Sequence, residues 1–217
     1  MKYRLKFSKN GSASYISHLD LMRTFQRAFS RAGIALKRSE GFNPHPLLFI
    51  ALPLSVGQES VCELLDFETL YPLDAPAAID ALSFALPDGI EALRITAAGA
   101  KFAKIKWISV IGTFFYDNTP PENILARLRE YFAAEKLIIR KKTKRGEGNF
   151  DIQGAYRDLR FSTDGVSVTL SARVSAQNPT MNPALFIDAL ASSDGLLPDA
   201  ARFIRTDLFD ELLAPFN

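Results

Sequence analysis

One cysteine and two histidines in 217 residues exclude much of the chemistry such residues support. Cys62 has no second thiol for an intramolecular disulfide, and a lone thiol cannot build a multi-cysteine zinc or iron–sulfur site. His18 and His45 stand among scattered carboxylates without tight ligand spacing, so no metal site and no cofactor are expected in this chain. No apolar run approaches the roughly 18 residues that span a bilayer, and MKYRLKFSK at the N-terminus lacks the apolar centre of a signal peptide. The expectation is a cytoplasmic protein with no membrane partner. No Walker loop, dinucleotide fingerprint, HExxH or nucleophile elbow occurs, and Gly146-Glu147-Gly148 is too short to mark a phosphate site.

What is present is charge, unevenly placed. The formal net charge is only +2, yet residues 1 to 45 carry nine Lys/Arg against Asp20 and Glu40. Residues 59 to 95 carry eight Asp/Glu against Arg94 alone. The stretch KLIIRKKTKRGEG is basic again, with Arg140, Lys141, Lys142, Lys144 and Arg145. Clustered cations suit a polyanion, because each neutralised phosphate releases counterions. Lysines also protect exposed sheet edges, so a solvated basic strand accounts for the same pattern.

Hydrophobic periodicity gives the elements. Tyr3 to Phe7 alternates as a strand, followed by a polar Lys-Asn-Gly-Ser turn. A helix follows from Ser17, its cap, with Asp20 three residues on and Ile16 placed to staple onto Leu21. Leu21, Met22, Phe25, Ala28, Phe29 and Ala32 form its apolar face, Arg23, Arg27 and Arg31 a basic stripe, and Gly33 its end. Ile34 to Arg38 reads as a strand, and Gly41-Phe-Asn-Pro-His-Pro46 as a loop constrained by two prolines. Leu47–Leu52 and Val61–Leu70 read as strands, Ala75–Leu86 as a helix and Ile90–Ala97 as a strand. The second half repeats this order. Lys104–Tyr116 is a strand, Glu122–Ala133 a helix, and Leu137–Lys141 a strand entering the basic loop. Leu159–Ser162 and Val166–Val174 pair across Asp164-Gly165, an established hairpin signal. Pro183–Ala191 is a short helix and Arg202–Phe209 the final strand. The expected fold class is α+β, with two ferredoxin-like βαββαβ halves in tandem, residues 1–99 and 100–217.

Several separated blocks together resemble a bacterial family. They are Tyr15-Ile-Ser-His-Leu-Asp-Leu-Met-Arg23, Arg27 with Arg31-Ala-Gly33, Ser39-Glu-Gly-Phe-Asn-Pro-His-Pro46, Ala51-Leu-Pro-Leu-Ser-Val-Gly57 and Leu65-Asp66, with weaker likeness at Lys141-Lys-Thr-Lys, Phe150-Asp-Ile152 and Arg205-Thr-Asp207. The chain resembles the radical-SAM-linked proteins of unknown function. The resemblance implies a radical SAM protein as partner, since members are fused to one or encoded beside one. Some members also lie near genes for ribonucleases and ribosomal proteins, which points to RNA. Radical SAM chemistry needs three cysteine thiolates on a cluster, and this chain has one, so it would be a partner or substrate-delivery module rather than the radical enzyme.

The candidate surface is therefore Tyr15 to Pro46. Arg23, Arg27, Lys37, Arg38 and Asn43, with Arg140, Lys141, Lys142, Lys144 and Arg145, are candidate nucleic-acid contacts. Each cation could instead be merely solvated, and Asn43 could make an Asx turn before Pro44. His18 lies in the first helical turn, where the dipole favours anions, and His45 is held between two prolines. If the protein is a metal-independent endoribonuclease resembling CRISPR repeat-processing enzymes, His18, His45 and Tyr15 are its candidate catalytic residues. Both histidines and Tyr15 could equally be packing residues. A regulatory protein-interaction module is the third reading.

Overall fold

Polar residues at both ends of each apolar stripe set the lengths of the elements in the computed structural model, which describes residues 1–143 and 146–217. The chain divides into two units, Met1–Lys104 with Asn217, and Ile105–Phe216. Helices and strands are mixed in both. No described helix is long and apolar enough to cross a membrane.

The N-terminal unit runs β1 (Lys2–Lys9), a 3-10 turn (Gly11–Tyr15), α1 (His18–Arg31), β2 (Leu48–Ile50), β3 (Glu59–Glu68), α2 (Ala75–Ala85) and β4 (Ile90–Ala97). β1 lies between β4 and β3, and β2 pairs with the other edge of β3, every pair antiparallel. Alternation gives the sheet one apolar face. Leu5, Phe7, Leu65 and Phe67 meet Leu21, Phe25 and Phe29 of α1 and Leu82 of α2 in one core. Ring pairs Phe7–Phe25 and Phe29–Phe67, each 4.7 Å between centroids, fix how α1 sits on the strands.

The ends of α1 follow the residue types. Ser17 accepts a hydrogen bond from the Asp20 N–H at its start. At its end Gly33 adopts φ 71°, and the N–H groups of Ile34 and Gly33 bond the carbonyls of Phe29 and Ser30. That is a Schellman closure, which needs the left-handed residue that glycine supplies without strain. Arg31 leaves the basic stripe and donates to the Ala85 carbonyl at the end of α2.

The expected strand at Ile34–Arg38 is not formed. The segment makes only single bridges, Leu36 to Thr69 and Arg38 to Pro46, because beyond Lys37 the chain turns back on itself at Pro46 instead of following β3.

The C-terminal unit runs β5 (Trp107–Phe115), α3 (Pro121–Phe132), β6 (Ile138–Thr143), β7 (Gly146–Asp151), β8 (Tyr156–Thr163), β9 (Val168–Ser175), α4 (Leu185–Leu190) and β10 (Ala200–Phe209). Its sheet has the order β10-β5-β9-β8, again antiparallel throughout. β6 and β7 form a separate hairpin, where the sequence suggested one strand entering a loop. Gly146-Glu-Gly-Asn carries no apolar alternation, so β7 has no signature of its own. Leu128 of α3 is fully buried, and Phe132 of the same helix packs with Phe161 of β8 and Phe186 of α4. At the centre of the sheet Gly112 admits the Phe203 ring, since a Cβ there would lie 2.7 Å from it.

Candidate functional site

The end of β1 sets the entry to α1. Lys9 is only 1% exposed, and its ammonium donates to the carbonyls of Ser14 at 3.1 Å and Ile16 at 2.9 Å. Removal from water lowers the Lys9 pKa, and the Glu63 charge opposes that shift in part. Two charge-assisted bonds thus fix the residues that lead into the helix. Tyr15, 72% exposed, stands with its ring over Gly57, where an added Cβ would lie 3.9 Å from Cε1.

His18 is the first residue of α1 and is half-buried. Its Nδ1 is shut from solvent without a hydrogen-bond partner among the described residues. Asp20 does not complete a reciprocal capping box. Its carboxylate accepts the Ser17 hydroxyl at 2.8 Å and Arg23 at 3.0 Å. The Ser17 hydrogen bond, and then that from Arg23, hold the Asp20 carboxyl below the usual carboxylate range. Arg27, one turn further on, is exposed, and its charge also acts on Asp20, although it makes no hydrogen bond or ion pair among the described residues.

The proline loop is a closed structure. Backbone Ser39 donates to the His45 carbonyl, the Ser39 Oγ accepts the His45 N–H at 3.1 Å, and that same oxygen lies 2.9 Å from Nδ1. Arg38 donates to the Pro44 carbonyl, and Lys37 faces Glu68 at 3.9 Å. Asn43 is exposed and makes no side-chain hydrogen bond among the described residues, the expected Asx turn included, and Phe42 stands fully exposed at the tip. No hydrogen bond or ion pair joins His18 to His45. Arg140, Lys141 and Lys142 lie on β6, opposite Asn149, Gly148 and Glu147. Lys144 and Arg145 lie outside the described residues. No three described His, Cys, Asp or Glu side chains form a group that could hold a metal ion.

A surface that periodicity in the sequence did not single out lies in the C-terminal unit. Register puts Trp107, Ser109, Ile111 and Thr113 of β5 on the sheet face away from Phe114, with Arg173 and Ser171 of β9 beside them. Arg157 and Arg160 of β8 share that face, opposite Arg173 and Ser171, and Phe209 and Arg202 of β10 share it from the other side. The Arg157 guanidinium lies over Trp107 and that of Arg173 over Phe209, each 5.1 Å from the ring centre. Asp158 holds Arg173 at 2.5 Å and Arg157 at 3.8 Å. Between them is a shallow open depression of about 380 Å³ whose lining includes Ser109, Asp158, Arg160, Ser171, Arg173 and Thr206. The available signal was the alternation SVTLSARVS, whose polar positions share one face, but only the pairing of strands shows what joins them.

The family comparison covers most of this architecture. Residues 2–183 match the family described as an uncharacterized protein conserved in bacteria (DUF2344), and the chain belongs to that family. No curated protein matches the chain. A crystal structure of an unknown protein from Galdieria sulphuraria is similar over 96% of this chain and 97% of that chain, at 12% identity and a TM-score of 0.28. A likeness at that score carries no argument about fold or function.

Proposed function

We propose that this protein binds RNA and serves as a binding or substrate-delivery partner for a separate radical SAM modification enzyme. The observation that carries the RNA half is the polar face of α1. Arg23 and Arg27 are exposed and share the charge of one carboxylate, the exposed Asp20 on their own helix, so a phosphate could take both arginines. The half-buried His18 begins the same helix, whose N-terminal dipole favours an anion. The strand orders of the two units support reading each as ferredoxin-like, with the β6–β7 hairpin inserted in the second. The enzyme half of the proposal rests on the sequence resemblance to radical-SAM-linked proteins.

The test is the salt dependence of RNA binding by the intact protein. Affinity should fall steeply with salt, and Arg23→Ala with Arg27→Ala should weaken binding and flatten the slope by about 0.7 per lost phosphate contact. Absence of binding at low salt rejects the reading. Co-purification of a radical SAM protein from the host tests the second half, and its absence under gentle conditions rejects it.

A further inference from the structure

We infer that the open sheet face of the C-terminal unit is a platform for single-stranded RNA, with a base stacked at Trp107 and the backbone carried by Arg160 and its neighbours. The inference rests on the RNA-binding reading and assigns that ligand a second surface.

Charge complementarity selects the occupant. Arg157 and Arg173 stand directly opposite each other on adjacent strands, a like-charge pairing that a sheet ordinarily avoids. Asp158 answers one of the two charges. Arg160 has no hydrogen bond or ion pair among the described residues and borders the depression, and with Arg202 it gives the face an excess of cations over Asp158 and the exposed Asp207 opposite Ser109. The hydroxyls of Ser109, Ser171 and Thr206 line the same depression. Guanidinium groups with hydroxyls suit phosphodiester oxygens, and hydroxyls that both donate and accept suit a ribose 2′-hydroxyl.

The aromatic component separates RNA from a plain anion. Trp107 and Phe209 are opposite each other across β5 and β10, both on this face, and each lies under an arginine. A base can replace or extend such a cation–ring stack, because every base presents a π-face. A duplex cannot offer its bases this way, so the platform selects unpaired strands.

Trp107 is the only tryptophan of the chain, so its fluorescence reports on this face directly. Titration of the intact protein with a single-stranded oligouridylate should quench that fluorescence saturably, and the quenching should weaken as salt rises. Arg160→Glu, which removes no hydrogen bond or ion pair among the described residues, should weaken RNA binding at least tenfold while circular dichroism stays unchanged. Oligodeoxythymidylate, duplex RNA and inorganic polyphosphate serve as competing arms. Any of the three that binds as tightly and quenches as fully as the single-stranded RNA overturns the assignment. RNA binding seen by anisotropy, with Trp107 fluorescence unmoved and Arg160→Glu without effect, overturns the platform while leaving the α1 reading intact. Absence of RNA binding by either measurement overturns both.

Discussion

Arg157 and Arg173 face one another across β8 and β9, and Asp158, at a left-handed φ of 54°, holds both guanidinium groups. The relationship is a register constraint. The bulge after Arg157 turns the Asp158 side chain towards two cations that the ladder has placed together. Replacing Asp158 by Asn preserves a residue that tolerates the left-handed region but removes the charge. Stability should fall by about 0.5–1 kcal/mol at low salt and recover as salt screens the arginines. Urea unfolding at two ionic strengths measures this. The same variant should bind single-stranded RNA more tightly, since it raises the positive charge of the platform.

Ser17→Ala tests the start of α1. The substitution removes the acceptor for the Asp20 N–H and should cost about 1 kcal/mol in chemical denaturation. The Ser17 hydroxyl is also the largest cause of the low Asp20 pKa, so the carboxyl should titrate closer to its ordinary value in the variant. In the native protein the depressed pKa contributes stability that is present above the ordinary carboxylate pKa of 3.8 and lost as pH falls through the folded value. Carbon-detected NMR titration of Asp20 in both proteins would show the difference, and identical curves would remove Ser17 from that role.

How far the sequence disclosed this architecture depended on whether local chemistry alone decided the element. The start, stripe and glycine stop of α1 are local, and all three were readable. Asp164-Gly165 likewise marked the β8–β9 hairpin, where Asp164 Oδ1 accepts the N–H groups of Val166 and Ser167. Ile34–Arg38 misled because its composition suits a strand, while the chain's reversal at Pro46 limits it to single bridges. Lys9 looked like part of a polar turn. Only the fold reveals that its stem is buried and its ammonium shared by two carbonyls. The arginines of the sheet face lie in strands separated by chain turns, and their convergence is a product of register, which no single strand states.

Alkaline pH should act on two tyrosines of the C-terminal unit. Burial raises the pKa of both Tyr116 and Tyr156 to about 12, with the charges of Asp199 and Asp151 adding respectively. Their hydroxyls donate to the Leu196 carbonyl at 2.9 Å and to Gln153 Oε1 at 2.7 Å. The raised values mean that the neutral phenols contribute stability that is complete below pH 10 and lost as pH rises towards about 12. Tyrosinate absorbance should show two phenols ionising late and together with unfolding. In Tyr116→Phe and Tyr156→Phe the stability lost across that window should be smaller, and an unchanged pH profile would refute the assignment.

Lys9 sets the last expectation, and its sign is opposite. Its pKa is depressed below 10.5 by burial, so the protonated amine is disfavoured by folding, and its contribution to stability improves as pH rises through the folded value to 10.5. The Lys9 amine donates to the Ser14 and Ile16 carbonyls. Ser14 retains the Gly57 N–H as a second partner. Lys9→Met should therefore be destabilised at neutral pH by about 1 kcal/mol, the low end of the cost of an unserved acceptor, because the Ile16 carbonyl is only part-buried. Lys9→Arg should not restore the loss, because its planar fork does not reproduce a compact ammonium in a closed site. Both variants should also loosen the entry to α1, seen as faster amide exchange at Ser17 to Asp20, whereas exchange in β8 and β9 should be unchanged. Equal acceleration in both units would mean that Lys9 acts on global stability and does not hold the helix start in particular.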